Sequence, residues 1–475
     1  MVSTTFLKTN NSAINNSGCQ YLPSVPEVAE DAKGTTEVLS PNQQIMPLTA
    51  GVEGDRLSIG GCDVEELVAQ FGSPLYILDE VTVRTACQQY REAFQKYYPG
   101  ESLVIYASKA WNCLAVAAIV RSEDLGIDVV SGAELYTALQ AGINPEKIYF
   151  HGNNKSLVEL KEAIACGCTL MVDNWLELET LVKIATKSVP IMLRLTPGIE
   201  CHTHEYIRTG HLDSKFGFDP TQLEQLFTFV SKHSLLNCLG LHAHIGSQIF
   251  EQQPHQDLAG VLVEFLTKAT QAGIAIQQLN VGGGLGIRYT ESDDPPSIDS
   301  WVQGVCQSLI TACQAQGIPL PKVISEPGRS LIAPACITAY TIGSTKTVPG
   351  IRTYVAIDGG MSDNPRPITY QSVYRAVIAN KMTHPLTETV TVAGKHCESG
   401  DILIKSASLP PTIPGDILVV LATGAYNYSM ASNYNRIPRP AAVLVKDGIA
   451  ELILQRETYQ DLLRQDLLPP SLKQG

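Results

Sequence analysis

Eight short apolar runs, each followed by helical sequence, constrain this chain more than any other feature. They lie at residues 103–108, 127–130, 147–150, 169–172, 190–193, 239–243, 276–281 and 322–325. They lead directly into Lys109, Ser131, His151, Asp173, Arg194, His244, Gly282-Gly283-Gly284 and Glu326. Parallel strands alternating with helices in that number close most economically into a (β/α)8 TIM-like barrel. Such barrels gather their reactive groups at the C-terminal strand ends. One pocket assembled from pieces spread over more than two hundred residues follows from this pattern.

At 475 residues the chain exceeds what one core supports, so two domains plus extensions are expected. Residues 1–50, rich in Ser, Thr, Asn, Gln and Pro, read as a flexible extension lacking signal-peptide or transit-peptide character. Residues 51–79 carry a helix at 64–71 and a strand at 75–78 and are expected to pack with a β domain. The barrel is assigned to 80–329, entered through a helix at 79–98. Beyond it the period changes to two. Runs at 337–342, 353–357, 389–392, 416–420, 442–445 and 450–454, broken by Gly and Pro, predict a C-terminal β-sandwich or β-barrel domain over 330–475. The fold class is thus α/β plus β.

A net charge of -13 argues against a nucleic-acid surface, and no apolar stretch approaches the length of a membrane span. Twelve cysteines at irregular spacing read as reduced, mostly buried thiols. Cys166 and Cys168 lack the second pair a structural zinc site needs. A cytoplasmic location is the expectation.

Lys109 ends an apolar strand, and a partly desolvated lysine at a barrel mouth is expected to have a lowered pKa and serve as an amine nucleophile for a Schiff base. Gly282, Gly283 and Gly284 follow the seventh strand, where a glycine run bares backbone N–H groups and admits a phosphate. Ser247 offers a hydroxyl to the same phosphate. Glu326 closes the eighth strand, where a carboxylate can hold a pyridine nitrogen protonated, and His244 can stack on the ring. Taken singly these read equally well as a solvated lysine, a tight turn and a Glu326–Arg329 pair. Together they specify pyridoxal 5′-phosphate. Metal pairs at His242 and His244 or at His202 and His204 are discounted, the latter for want of a third ligand at convincing spacing.

The ordered motifs resemble the diaminopimelate decarboxylase family of fold type III, alanine racemase-like pyridoxal-phosphate enzymes. They are Tyr106-Ala107-Ser108-Lys109, His202-Thr203-His204-Glu205, the stretch 209–217, His242-Ala243-His244-Ile245-Gly246-Ser247-Gln248, and the glycine triplet. Glu326-Pro327-Gly328-Arg329, Cys397-Glu398-Ser399-Gly400-Asp401 and Gly424-Ala425-Tyr426 complete the set, so the likeness spans roughly residues 55 to 460. One departure is Trp111, where the family commonly has Asn after Lys-Ala; Asn112 is shifted by one.

The resemblance implies that Lys109 carries the cofactor, with Asp128 nearby, and that His244 stacks on its ring. Ser247, Gly282, Gly283, Gly284 and Gly328 would serve the phosphate, and Glu326 the ring nitrogen. Arg329, Arg366 and Tyr370 would hold the substrate's far end, Arg329 would also bind the cofactor, and Tyr426 would touch both phosphate and substrate. Cys397, as proton donor, and Glu398 would come from the second subunit of a homodimer. The implied reaction converts meso-2,6-diaminopimelate to L-lysine and carbon dioxide, the last step of lysine biosynthesis. Arginine suits a distal carboxylate and Glu398 a distal ammonium. A decarboxylase of ornithine, arginine or carboxynorspermidine is the alternative, and would want acidic residues in place of Arg366. A racemase is disfavoured by Glu326, since its ring nitrogen faces an arginine. A non-catalytic binding protein is disfavoured by the presence of both Lys109 and Cys397.

Overall fold

The computed structural model describes residues 39–199 and 214–473. The stretches at 202–205 and 209–213 and most of the N-terminal extension lie outside the described residues. Residues 39–50, which the sequence places in the flexible extension, are buried or half-buried. Asn42 and Met46 are buried, and the Asn42 amide donates to the carbonyls of Gly286 and Pro296 in the barrel.

A small antiparallel sheet of β1 (Gly51–Glu53), β2 (Arg56–Ile59) and β3 (Cys62–Asp63) precedes α1 (Val64–Phe71). The next strand, β4 (Leu75–Asp79), is wholly buried and belongs to the C-terminal sheet. Its last residue, Asp79, caps α2 (Glu80–Tyr97) by accepting from the Thr82 N–H, which satisfies one of the unpaired donors at the helix start. Val83, Ala86, Cys87, Tyr90, Ala93 and Phe94 fall on one helical face and bury it against the barrel.

The barrel strands are β5 (Ser102–Ala107), β6 (Gly126–Val129), β7 (Ile148–Phe150), β8 (Thr169–Val172), β9 (Val189–Arg194), β10 (Leu236–His242), β11 (Gln278–Asn280) and β12 (Lys322–Ser325). All pair in parallel and β12 returns to β5, closing the ring. Around it run α3 (Leu114–Ser122), α4 (Gly132–Gln140), α5 (Leu157–Cys166), α6 (Trp175–Ile184), α7 (Leu223–Ser231), α8 (Gln253–Gln271) and α9 (Ile298–Gln316). Ser131, at a strand end, is a helix cap: its hydroxyl accepts from the Glu134 N–H. Ile105, Tyr149, Met171, Met192 and Ile324 fill the barrel's interior, each burial stabilising by roughly 1.5–3 kcal/mol. A filled barrel offers ligands its mouth, not a channel.

After the short α10 (Arg329–Ile332) the chain enters a nine-stranded mixed sheet. Its further strands are β13 (Cys336–Val348), β14 (Arg352–Ile357), β15 (Ala376–Ile378), β16 (Glu388–Ala393), β17 (Ile402–Leu409), β18 (Ile417–Val420), β19 (Ala441–Lys446) and β20 (Ile449–Leu454). Between β14 and β15 lies α11 (Arg366–Tyr370). The long β13 serves both halves: its first residues pair with β4 and β18, its last with β14. The barrel and the C-terminal β domain expected from the sequence are both present.

Candidate active site

The C-terminal strand ends place one ring of polar side chains at the barrel mouth. Lys109 sits on the 3-10 turn Ser108–Ala110 after β5, with its Nζ 3.6 Å from Asp128 Oδ2 on the adjacent β6. The Asp128 side chain is buried, and neither carboxylate oxygen has a hydrogen-bond partner among the described residues. That nearby negative charge raises the Lys109 pKa, outweighing burial, which acts in the opposite direction. The lowered pKa expected from burial alone is therefore corrected: the side chain remains 44% exposed, and its ammonium is held by a charged partner.

Glu326, after β12, is gripped by three donors carried by β10, β11 and the end of β7. His151 Nε2 lies 2.8 Å from Oε1, Asn280 Nδ2 2.7 Å from the same oxygen, and His242 Nε2 3.2 Å from Oε2. Burial alone would push the Glu326 carboxyl up, but the charge and hydrogen bonds of His151 and His242 hold it well below the usual carboxylate range. Burial lowers His242 to about 4, against the pull of Glu326. His244 is also pushed well below the ordinary imidazole value, by burial first and then by Lys109 and Arg194. Its neutral ring accepts from the Gly283 N–H at 3.3 Å.

The glycine run is sterically required. A Cβ on Gly283 would lie 2.2 Å from the Glu326 carbonyl oxygen, and Gly282 and Gly284 have φ of +65° and +127°. Gly328 lets its turn approach β5, where a Cβ would come within 3.0 Å of the Ala107 Cβ. Across from the run, the Arg329 Nε and Nη2 donate to Ser247 Oγ at 3.2 and 3.0 Å.

Arg329 and Arg366 are both buried, and neither has a carboxylate partner among the described residues. Instead they share the Tyr289 hydroxyl oxygen, at 2.8 and 2.7 Å. Arg366 also donates to Tyr374, whose oxygen receives the Asn427 amide at 3.3 Å. Burial would raise the Tyr289 pKa, yet the two guanidinium charges bring it below the ordinary phenol value. Tyr426 takes a left-handed backbone at φ +61°, fixed by its N–H on the Ala110 carbonyl, and its ring centroid lies 4.9 Å from the Arg329 guanidinium carbon. Tyr370, at the end of α11, is half-buried and has no hydrogen bond among the described residues.

Cys397 and Glu398 are exposed on a loop of the β domain. The buried Asp401 carboxylate pins that loop, accepting from the N–H groups of Met361 and His396 and from the His396 ring. No hydrogen bond or ion pair joins Cys397 or Glu398 to Lys109, Glu326 or Arg366 among the described residues.

His151, His242 and Asn280 as props of Glu326, and Tyr289 and Tyr374 as partners of the arginines, were not singled out by sequence. His151 was visible as a strand end and His242 as part of a motif. Nothing in the sequence marked Tyr289 or Tyr374.

The residues present fit pyridoxal phosphate. A buried carboxylate without a hydrogen bond stands beside a lysine, a buried anionic glutamate faces the same mouth, and a turn excludes any side chain at Gly283. A family model described as "Pyridoxal-dependent decarboxylase, pyridoxal binding domain" matches residues 81–333. A diaminopimelate decarboxylase of Synechocystis sp. is 66% identical over 445 residues, 91% of this chain and 95% of that protein. One of Bacillus subtilis is 45% identical over 419 residues, covering 86% and 95% of the two chains. The crystal structure of diaminopimelate decarboxylase from M. jannaschii, in complex with L-lysine, superposes with a TM-score of 0.85 at 32% identity, covering 92% of this chain and 100% of that one.

Proposed function

The chain belongs to the diaminopimelate decarboxylase family of pyridoxal-dependent decarboxylases, and on that premise we propose how its side chains divide the work. The reaction converts meso-2,6-diaminopimelate to L-lysine and carbon dioxide, the last step of lysine biosynthesis. The observation that carries this reading is the pair of buried guanidiniums, Arg329 and Arg366, with no carboxylate of their own among the described residues. Buried positive charge without a counter-ion is costly, and a substrate with a carboxylate at its far end supplies one.

Bound pyridoxal phosphate supplies an electron sink for the pair left behind when the α-carboxylate departs. Lys109 holds the cofactor at its aldehyde, with Asp128 as the neighbouring counter-charge. Glu326 would accept the ring N–H. Because its own carboxyl is so weakly basic, it would leave the proton on the ring nitrogen. The neutral His244 would lie against the ring face, and Ser247, Gly282, Gly283, Gly284 and Gly328 would serve the phosphate. Tyr426 borders phosphate and substrate. Arg329, Arg366 and Tyr370 take the distal carboxylate, Arg366 in a planar fork that a point charge could not match.

The exposure of Cys397 and Glu398 supports a homodimer in which each copy lends this loop to the other's barrel mouth. Cys397 then delivers a proton to the substrate Cα at the D-configured centre, and Glu398 pairs with the distal ammonium. Among the described residues, no helix is long and apolar enough to cross a membrane.

The test is to incubate the purified protein and pyridoxal phosphate with diaminopimelate, ornithine, arginine and lysine in parallel. Carbon dioxide from diaminopimelate is the expected outcome. Release from ornithine or arginine alone would instead place the chain with decarboxylases of cationic-tailed substrates.

A further inference from the structure

We propose that Tyr289 is a positioning residue for substrate specificity. Its hydroxyl holds the guanidiniums of Arg329 and Arg366 at one point and presents its own proton to the substrate's distal carboxylate. This rests on the reading in which the two arginines bind that carboxylate.

Guanidinium groups only donate, so the Tyr289 oxygen must accept both the Arg329 bond at 2.8 Å and the Arg366 bond at 2.7 Å. A phenol oxygen has two lone pairs and one hydrogen, and both lone pairs are now used. Among the described residues no acceptor receives that hydrogen. A third donor therefore stands between two cations, in a buried site without a carboxylate. Three donors around one point suit a carboxylate with two oxygens and spare lone pairs.

Tyr289 is placed rigidly enough to do this. Its backbone N–H donates to Asp293 Oδ2 at 3.0 Å. Two residues earlier, the Gln248 side-chain amide brackets Ile287, donating to its carbonyl at 2.8 Å and accepting from its N–H at 3.1 Å. The ring packs edge-on to Tyr374, with centroids 5.3 Å apart, and Tyr374 in turn accepts from Arg366. The arrangement also divides Arg329. One edge of its fork, Nε and Nη2, goes to Ser247 on the phosphate side, and only Nη1 goes to Tyr289. Removing the hydroxyl frees that third nitrogen and uncouples the two arginines, while leaving Ser247 and the glycine run untouched.

Tyr289→Phe keeps the ring and tests the hydroxyl alone. Two ligands of the holoenzyme separate the carboxylate from the amines: L-lysine, which retains it, and cadaverine, which lacks it. Wild type is expected to bind L-lysine more tightly than cadaverine as competitive inhibitors. In the variant, L-lysine affinity should fall on the order of 10- to 100-fold, as for a lost charge-assisted hydrogen bond. The KM for diaminopimelate should rise in parallel with kcat retained, because the lost contact is made equally before and during reaction. Cadaverine affinity and pyridoxal phosphate affinity of the apoprotein should not change. An unaltered lysine-to-cadaverine ratio in the variant, or equal loss of both ligands, would overturn the role of Tyr289 alone. No preference for L-lysine in wild type would overturn the arginine site itself, and this proposal with it.

Discussion

His151 Nε2 lies 2.8 Å from Glu326 Oε1, a contact between two buried side chains from strands on different sides of the barrel. With His242 and Asn280 it fixes the carboxylate as an anion of low basicity. A group so reluctant to take a proton leaves it on the partner it faces. Glu326→Gln keeps the shape but removes the charge proposed to face the ring nitrogen. Its kcat should fall on the order of 10²–10³-fold, by analogy with loss of one preorganised electrostatic contact. Steady-state kinetics with cofactor content checked by absorbance reads this; near-normal turnover would remove Glu326 from the mechanism.

Asp128 raises the pH at which Lys109 gives up its proton. The sign follows from its being the largest cause of the raised pKa: take away the carboxylate and the amine deprotonates at lower pH. Asp128→Asn should therefore make the apoprotein capture pyridoxal phosphate faster at a given pH below the lysine's ordinary 10.5, with the rate profile displaced to the acid side. Borohydride trapping across a pH series measures this. Lys109→Ala should trap nothing in the pocket and serves as the blank.

Two buried histidines predict how the fold responds to acid. Burial lowers His242 to about 4 and His255 to about 3, from an ordinary 6.5. Between 6.5 and those values the unfolded chain binds protons that the folded one refuses, so stability rises with pH and is lost as pH falls through this window. Each histidine contributes up to roughly 1.4 kcal/mol per pH unit. His255 packs edge-on to Trp301 with centroids 5.1 Å apart, away from the hydrogen-bonded Glu326 cluster. His255→Phe should flatten the dependence of the urea midpoint on pH by about one proton's worth. An identical slope in variant and wild type would show that His255 titrates normally.

The barrel was legible because its strands are buried on both faces and end abruptly at polar or glycine residues, which sequence alone displays. The two strands of the C-terminal segment left out, β15 and β17, show why the β domain was less so. Ala376–Ile378 is too short to carry a period. In Ile402–Leu409 the burial pattern is interrupted by register shifts against β16. Sequence likewise displayed the residues at strand ends but, His151 apart, not those off the strand ends that contact them. Tyr289 and Tyr374 follow irregular segments, and only the tertiary approach of β12, α11 and the glycine-run loop brings them to the arginines. The Lys109 pKa was misjudged for a related reason: burial can be guessed from a strand, whereas a charge 3.6 Å away on the next strand depends on register.

Gly283 tests the turn proposed to hold the phosphate, without touching a side chain. A methyl there would meet the Glu326 carbonyl oxygen at 2.2 Å, and the atoms it meets at Glu326 and Pro327 are backbone, which yields little. Gly283→Ala should lower stability by about 1–3 kcal/mol and weaken pyridoxal phosphate binding, read by thermal unfolding and by cofactor fluorescence. Unchanged melting and affinity would mean the turn is looser than its geometry implies.

The division of labour between two copies can be tested by mixing. If Cys397 acts across the interface, Lys109→Ala and Cys397→Ala each disable both sites of their own homodimer, since every site needs one residue from each chain. In a hybrid of the two, a two-fold arrangement brings both lesions together in one site and leaves the other intact. Random reassociation makes about half of the dimers hybrids with one working site of two, so activity should return to about a quarter of wild type. Were Cys397 to serve its own barrel, every site in every mixture would carry a lesion, and mixing would restore nothing. The restored fraction should vanish when the two variants are mixed under conditions that prevent subunit exchange, which ties the recovery to the interface and not to residual activity of either parent.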